Sequence, residues 1–317
     1  MTPGKKKLGC TVVLTVMNDA AALARTLHTL ETQTRLPEEL ILAVADSQDN
    51  TLGVAQNCAA KHSWVKILQV GKATRSQGRN LAVQGSSQKI IVFTDAGCLP
   101  EPEWLAELLV PFQNAETALV SGLTVVSNTS SFAEAQGAFV LVPPGKIDKH
   151  PLPATRNMAL RKSTFLQHQG FREELNFAED YEFARRLQTV GVHSEFAPQA
   201  VVAWEARDSI RDYFSMILRL TQGDIQAETW RRGHITMWLR YLVLFMLGFI
   251  TFLVTNSLIS VISFTTILYL GYLLLKLSRF QFSRSGSYFW AILLQVLTDM
   301  AVLLGSARGV WHRRRIK

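Results

Sequence analysis

Residues 241–275 contain no Asp, Glu, Lys or Arg, an uncharged run of 35 residues. That run restricts the fold more than any other feature of the chain. A helix needs about 20 apolar residues to cross a bilayer, so there is room for two crossings. The polar triplet Thr255-Asn256-Ser257 divides the run, and the expected spans are about residues 237–256 and 257–277. A buried soluble hairpin would not need such a length without a charge. A third stretch, about 287–306, is different. Ser287, Gln295, Thr298, Asp299 and Ser306 fall near one helical stripe, which makes this helix amphipathic.

Basic residues gather beside these segments: Arg231 and Arg232, then Lys276, Arg279 and Arg284, then Arg308, Arg313, Arg314, Arg315 and Lys317. Two spans followed by an interfacial helix keep every cluster on the cytoplasmic side; three spans would place the last one outside. The expectation is therefore two spans plus an interfacial third helix. Lipid headgroups account for the net charge of +8 more simply than nucleic acid does, since no aromatic-basic motif accompanies it.

The first 234 residues read as a mixed soluble protein. "KKKLGCTVVLTVMND" opens like a signal peptide, but its apolar run is only about ten residues and lacks a small-residue cleavage site. A first strand over 10–16 is the better reading. Helix and strand signals then alternate: helix 20–33, strand 39–46, a helix after Asp49, strand 65–70, helix 76–87 and strand 89–95. Near-continuous apolar strands alternating with helices indicate an α/β fold with a mostly parallel sheet. Ligands of such sheets collect at the carboxyl ends of the strands. Asn18-Asp19, Asp46 and Asp95 stand at three of those ends. No GxGxxG, GxxxxGK[ST] or GxSxG string is present, which excludes the dinucleotide fingerprint, the P-loop and the hydrolase elbow. The first strand is followed by "TVMNDAAALA", without the Gly- and Lys/Arg-rich loop of a nucleotidyltransferase. The seven histidines have no metal spacing. Cys10, Cys58 and Cys98 form no CxxC pair, as expected of reduced thiols in a cytoplasmic domain.

A second polar cluster follows. "PATRNMALRKSTFLQHQGF" (153–171) reads as a strand, a short helix and a glycine turn. "FAEDYEFARRLQTVG" (177–191) reads as a helix with Tyr181, Ala184 and Leu187 on one side and Gly191 as its stop. Glu179 and Asp180 open this helix. Acidic residues there either complement the helix dipole or supply a general base.

The ordered set "AVADSQDNT", "GRNLA", "IIVFTDAGCLPEPEWL", "RNMALRKSTF…GF" and "EDYEFARRL", ahead of a hydrophobic C-terminus, resembles family 2 glycosyltransferases of the GT-A fold, over roughly residues 8–205. The resemblance implies a nucleotide-sugar donor, with UDP favoured, bound by Asn18, Asp46, Asp49, Arg79 and Asp95. It implies Asp180 as catalytic base of an inverting transfer, and Glu179, Arg156 and Asn157 on the acceptor side. Asp95 matches the first acid of the D-x-D motif and is the implied ligand of Mg²⁺ or Mn²⁺. Gly97 stands where the second acid is usual. Mg²⁺ commonly takes one or two carboxylates plus phosphates and waters, so a one-acid site is chemically possible. The Q-x-x-R-W string of processive members is absent, which points to the addition of one or a few sugars.

The expected organisation is a catalytic domain over 1–205, an interfacial linker helix within 206–234 and a membrane domain over 235–317. The expected protein is a multi-pass glycosyltransferase with a cytoplasmic catalytic face, as in a bacterial inner membrane, and a lipid-linked or glycan acceptor. The alternative is a degenerate relative that binds a nucleotide sugar without turning it over. Gly97 raises that alternative, and the joint presence of Asp46, Asp95 and Asp180 argues against it. The segment 140–155 reads as either a lid or a connection.

Overall fold

β1 (Cys10–Val16) is buried almost throughout, as expected of a Val- and Thr-rich strand between two neighbours. It pairs in parallel with β2 (Glu39–Ala45) on one side and with β4 (Ile90–Phe93) on the other. β3 (Val65–Gly71) lies outside β2. Three helices connect these strands: α1 (Ala20–Glu31), α2 (Thr51–Lys61) and α3 (Arg75–Gly85). α1 buries Ala22, Leu23, Thr26, Leu27 and Leu30, one face of the helix at 3.6-residue spacing. The strand order is β3-β2-β1-β4-β7-β6-β8-β5, where β5 is Cys98–Pro100, β6 Leu119–Val126, β7 Met158–Arg161 and β8 Ser194–Trp204. Chain direction is parallel except at β7 and β5. The order reverses at β1 and β4, so a crevice opens beyond their carboxyl ends. Asn18 and Asp95 stand there.

The structure, a computed structural model, describes residues 8–127, 130–142 and 151–316. Residues 143–150 of the segment with the lid-or-connection reading lie outside the described residues. The chain divides into two units. The first holds the sheet with α1–α3, α4 (Trp104–Leu109), α6 (Lys162–Gln167) and α7 (Glu179–Thr189). α7 buries Glu179, Glu182, Phe183, Ala184 and Leu187. Tyr181, on one side of the helix with Ala184 and Leu187, is half-buried where those two are buried, because the inward face runs through Glu179 and Phe183.

The second unit contains α5 (Ser131–Val140), α8 (Ile210–Gln226), α9 (Arg232–Thr255), α10 (Leu258–Leu277) and α11 (Gly286–Ile316). The catalytic segment expected over 1–205 is thus interrupted, since α5 belongs with the later helices. Its Glu134 accepts hydrogen bonds from Ser283 N, Arg284 N and Ser287 Oγ at the start of α11. Three helices, Gly233–Thr255, Leu258–Leu277 and Gly286–Arg313, are long and apolar enough to cross a membrane. α9 and α10 expose apolar side chains around most of their surface. α11 exposes Phe289, Ile292, Val296, Met300 and Leu304 along one side and buries Ser287, Gln295, Asp299 and Ser306 on the other. Its polar stripe therefore faces protein. α8 covers part of it, with Tyr213 OH 2.7 Å from Thr298 Oγ1. The approach is close because Gly305 and Gly309 lack side chains: a Cβ would lie 2.6 Å from Leu218 O and 2.7 Å from Ile225 Cβ, respectively.

Candidate active site

The site is organised around α3. Thr74 and Gln77 form a capping box at its start, satisfying backbone donors that a helix end leaves open. The first turns then fasten the segment leading to α7. Ser76 Oγ donates to Leu175 O at 2.6 Å, Thr74 Oγ1 to Glu173 O at 3.1 Å, and Arg75 N to Asn176 Oδ1 at 3.2 Å. Asn80 donates to Phe171 O at 2.8 Å and accepts from Phe171 N at 3.0 Å. Phe171 in turn packs with Phe93, Phe165 and Phe183. Ala178, the last residue before α7, has φ +60, a left-handed backbone that costs a non-glycine residue energy and clusters at functional sites.

Arg79 is only 2% exposed. Its Nη2 donates to Asp95 Oδ1 at 2.7 Å and its Nη1 to Glu179 Oε1. Burial works against its charge, and Asp95 and Glu179 outweigh that effect, holding the guanidinium protonated above its ordinary range. For Asp95, burial favours the neutral acid, but Arg79, with Arg75 and Arg156 adding to it, holds the carboxyl below the ordinary aspartate range. Glu179 moves the other way. Burial pushes it up, Arg79 opposes this, and the neighbouring Asp180 adds to the rise.

Asp95 lies just past β4 with its side chain 35% exposed. Only one of its oxygens meets Arg79. Two residues on, Gly97 has φ +80 in a turn closed by Cys98 N donating to Asp95 O. Pairing of Cys98 with Trp204 brings Glu205 beside it. Glu205 N donates to Gly97 O at 2.9 Å, and a Cβ on Gly97 would lie 3.5 Å from Glu205 Oε2. Arg25 holds that carboxylate at 2.7 and 2.9 Å. Glycine at position 97 therefore suits both the backbone and the charge already present. Among the described residues no group of three or more His, Cys, Asp or Glu is placed to hold a metal. Asp95 offers one carboxylate oxygen outside the Arg79 pair, and this fits a Mg²⁺ or Mn²⁺ whose other ligands are phosphates and waters.

Asp180 is half-buried and oriented by three donors. Thr155 N and Oγ1 approach Oδ2 at 3.2 and 3.4 Å, and Tyr181 N donates to Oδ1 at 2.7 Å. Thr94 Oγ1 donates to Arg156 O at 3.3 Å. The Thr155–Asn157 turn thus links the strand end that carries Asp95 to Asp180. Arg156 lies over the Trp204 ring at 5.6 Å, half-buried.

Several of the candidate residues have partners within the protein. Asn157 is buried; its amide nitrogen donates to Leu123 O and Ala200 O and its oxygen accepts from Trp104 Nε1. Both amide hydrogens are engaged inside the protein, which holds the turn in place. Glu179 is likewise buried against Arg79. Arg79 itself has its terminal nitrogens on Asp95 and Glu179. At the ends of β1 and β2, Asn18 Oδ1 accepts from Gln48 N at 2.6 Å, while Asp49 accepts from Ala20 N at 2.9 Å and Thr51 N at 3.1 Å. These two residues clasp neighbouring loops together. Asp46 is exposed at the end of β2, with its backbone N donating to Gly71 O at 2.9 Å. Thr155, Trp204 and the Arg25–Glu205 pair carry no motif in the sequence; only the pairing of β8 with β5 and the turn beside β4 bring them to the site.

The glycosyltransferase AglE of Haloferax volcanii is 24% identical over 222 residues, 68% of this chain and 73% of that protein. The pre-mycofactocin glycosyltransferase of Mycobacterium tuberculosis is 23% identical over 215 residues, 65% of this chain; the match spans 44% of that longer protein. Among solved structures, a mannosyltransferase from Pyrobaculum calidifontis, in complex with GDP-Man and Mn²⁺, superposes with a TM-score of 0.67 at 16% identity, covering 98% of this chain and 90% of that one. Staphylococcus aureus TarS in complex with UDP superposes with a TM-score of 0.52 at 16% identity, over 74% of this chain and 71% of that one. These likenesses give the GT-A fold. Residues 11–172 match the model of glycosyl transferase family 2, and the chain belongs to that family.

Proposed function

We propose that this glycosyltransferase moves a sugar from a nucleoside-diphosphate donor to a lipid-linked acceptor at the cytoplasmic face of a membrane, with inversion. The observation that carries the reading is Arg79, which ties Asp95 at the strand end to the Glu179-Asp180 helix start in one buried cluster. Donor and base functions are thereby held in a fixed relation.

In the proposed step the acceptor oxygen attacks the anomeric carbon as its proton passes to Asp180, and the bond from that carbon to the diphosphate oxygen breaks. Thr155 and the Tyr181 amide orient the Asp180 carboxylate for this transfer. Asp46 is the residue for the nucleobase. Arg156, stacked on Trp204, and Arg75 supply positive charge beside the diphosphate. Asp95 would hold Mg²⁺ or Mn²⁺, which when bound stabilises the departing diphosphate. The complex of the Pyrobaculum calidifontis mannosyltransferase with GDP-Man and Mn²⁺ supports a metal and makes GDP the specific alternative to UDP. The apolar exposure of α9 and α10 supports a membrane setting, hence a lipid-linked acceptor.

The test is Asp180→Asn in the full-length protein. Release of nucleoside diphosphate from UDP- and GDP-sugars is measured in the presence of a membrane lipid extract. Turnover should fall by about 10²- to 10⁴-fold with donor binding retained. Unchanged turnover would remove Asp180 as base, and no turnover by the wild type with any donor would return the non-catalytic reading.

A further inference from the structure

α11 is long and apolar enough to cross a membrane, but its neighbours in the second unit place it differently. α9 and α10 form an antiparallel hairpin with Asn256 at its tip: Arg240 lies over the Tyr272 ring at 4.3 Å, and a Cβ on Gly248 would lie 3.2 Å from Thr265 Cγ2. α11 meets this hairpin through Asp299, which accepts from Arg240 Nη2 at 2.6 Å, Tyr241 OH at 3.1 Å and Tyr269 OH at 2.9 Å. It also meets it through Gln295, which accepts from Lys276. These hairpin residues all lie towards the base, away from the tip. Gln295 and Asp299, by contrast, lie near the middle of α11. A third span beside the hairpin would set middle against middle. Here the middle of α11 crosses the hairpin's base.

Other helices hold the two ends of α11. Near its start, Phe132 of α5 packs on Trp290 at 4.8 Å. Towards its end, Gly305 and Gly309 admit α8, and Glu228, just past α8, pairs with Arg313 at 2.6 Å. α9 begins at the level of α8, where Asp224 holds Arg231 at 2.7 Å. It reaches α11 at Arg240 and then runs on past it. The part that runs on, with the facing part of α10, belongs to the uncharged run 241–275. The exposed apolar side of α11 runs through Phe289, Ile292, Val296, Met300 and Leu304. At 3.6 residues per turn this side lies opposite the one that meets α8, so it faces the way the hairpin projects.

We infer that α11 lies flat at the headgroup level of the leaflet nearest α8, with its apolar side in the acyl boundary, and that α9 and α10 alone cross the bilayer. An interfacial helix sinks its apolar face about 5–10 Å into that boundary. Tyr288 and Trp311, exposed near the two ends of α11, suit the same depth. The charges of Arg240, Lys276 and Asp299 then sit at the hairpin's base, where they cost less than at the bilayer centre. Lipid is the occupant of the apolar side because the hairpin beside it projects in the same direction. The inference rests on the membrane setting of the proposed function and is independent of the transfer reaction.

The test is spin-label depth in the full-length protein, reconstituted in vesicles of phosphatidylcholine and phosphatidylglycerol. Single labels are placed at Phe289→Cys, Val296→Cys and Leu304→Cys, with Phe249→Cys of α9 as reference. All four positions are exposed; the native cysteines are buried, and the unsubstituted protein measures their background. Phe289 and Leu304 are about 22 Å apart along the helix. The three α11 labels should share one shallow depth to within about 5 Å, with the Phe249 label near the bilayer centre. Depths that change along α11 as in a spanning helix would overturn the inference. Dipolar coupling between the Val296 labels of two copies would put a second protein on the apolar side and overturn it as well. A shallow Phe249 label would remove the membrane setting itself. As a second measurement, Thr255→Cys and Arg308→Cys should react with a membrane-impermeant maleimide from opposite sides of the bilayer; reaction from the same side would make α11 a third span.

Discussion

Arg79 in the sheet unit and Arg240 in the helical unit are both largely buried and both face a carboxylate, yet the surplus differs. Arg79 has each terminal nitrogen on a separate acid, and what remains free is a carboxylate oxygen of Asp95. Arg240 shares its single acid with two tyrosines and a glutamine, and what remains free is an N–H. A buried ion pair is weak evidence for stability, because desolvation offsets attraction. What it leaves unsatisfied is more informative: the oxygen left over at Asp95 belongs to a part-exposed side chain and suits a cation or a proton, whereas the N–H left over at Arg240 is enclosed by protein.

The largest expected difference follows from these counts. Arg79→Met leaves the buried Glu179 and the half-buried Asp95 without their cation and should destabilise by about 3 kcal/mol, read by denaturant unfolding. Arg240→Met leaves Asp299 with three donors and should cost clearly less; equal losses would break the comparison. Next comes the helix contact. Gly305→Ala drives a Cβ against the Leu218 carbonyl, and such overpacking costs about 1–3 kcal/mol, visible as a lower melting temperature. Gly97→Asp is a smaller test. It places a non-glycine residue at φ +80, a left-handed cost of about 1–2 kcal/mol, and sets its charge beside Glu205. Gly97→Asn carries the backbone cost alone, so the difference between the two variants isolates the charge.

The smallest effect is on pH dependence. The folded Asp95 carboxyl is held below its ordinary range, so its stabilisation is complete above the ordinary aspartate value and is lost as pH falls through the depressed one. Glu179, raised by burial, has the opposite sign: its contribution is present at low pH and lost as pH rises through the raised value. Asp95→Asn should therefore flatten the acid limb of a stability-against-pH curve, and Glu179→Gln should not.

The sheet was legible in the sequence because β1, β2 and β4 are continuous apolar runs whose last residues change abruptly to Asn18, Asp46 and Asp95. The helix at Glu179 was legible from its acidic start and Gly191 stop. Side-chain direction was not. Glu179 and Asp180 are adjacent, so one turns inward to Arg79 while the other meets Thr155, and nothing local decides which. Gly97 read as a missing acid because its reason, Glu205, lies over a hundred residues away in sequence. The membership of α5 in the second unit was hidden for the same cause: Glu134 meets residues 283–287, a contact that no periodicity announces.

The central claim is that Asp95 marks a nucleoside-diphosphate site. Its most direct test is calorimetric titration of the detergent-purified full-length protein with UDP and with GDP, with and without Mn²⁺, for the wild type and Asp95→Ala. The account predicts that one nucleotide binds the wild type more tightly with Mn²⁺ and that Asp95→Ala loses this metal dependence. Binding of neither nucleotide under any condition, or identical metal-dependent binding by Asp95→Ala, would contradict it.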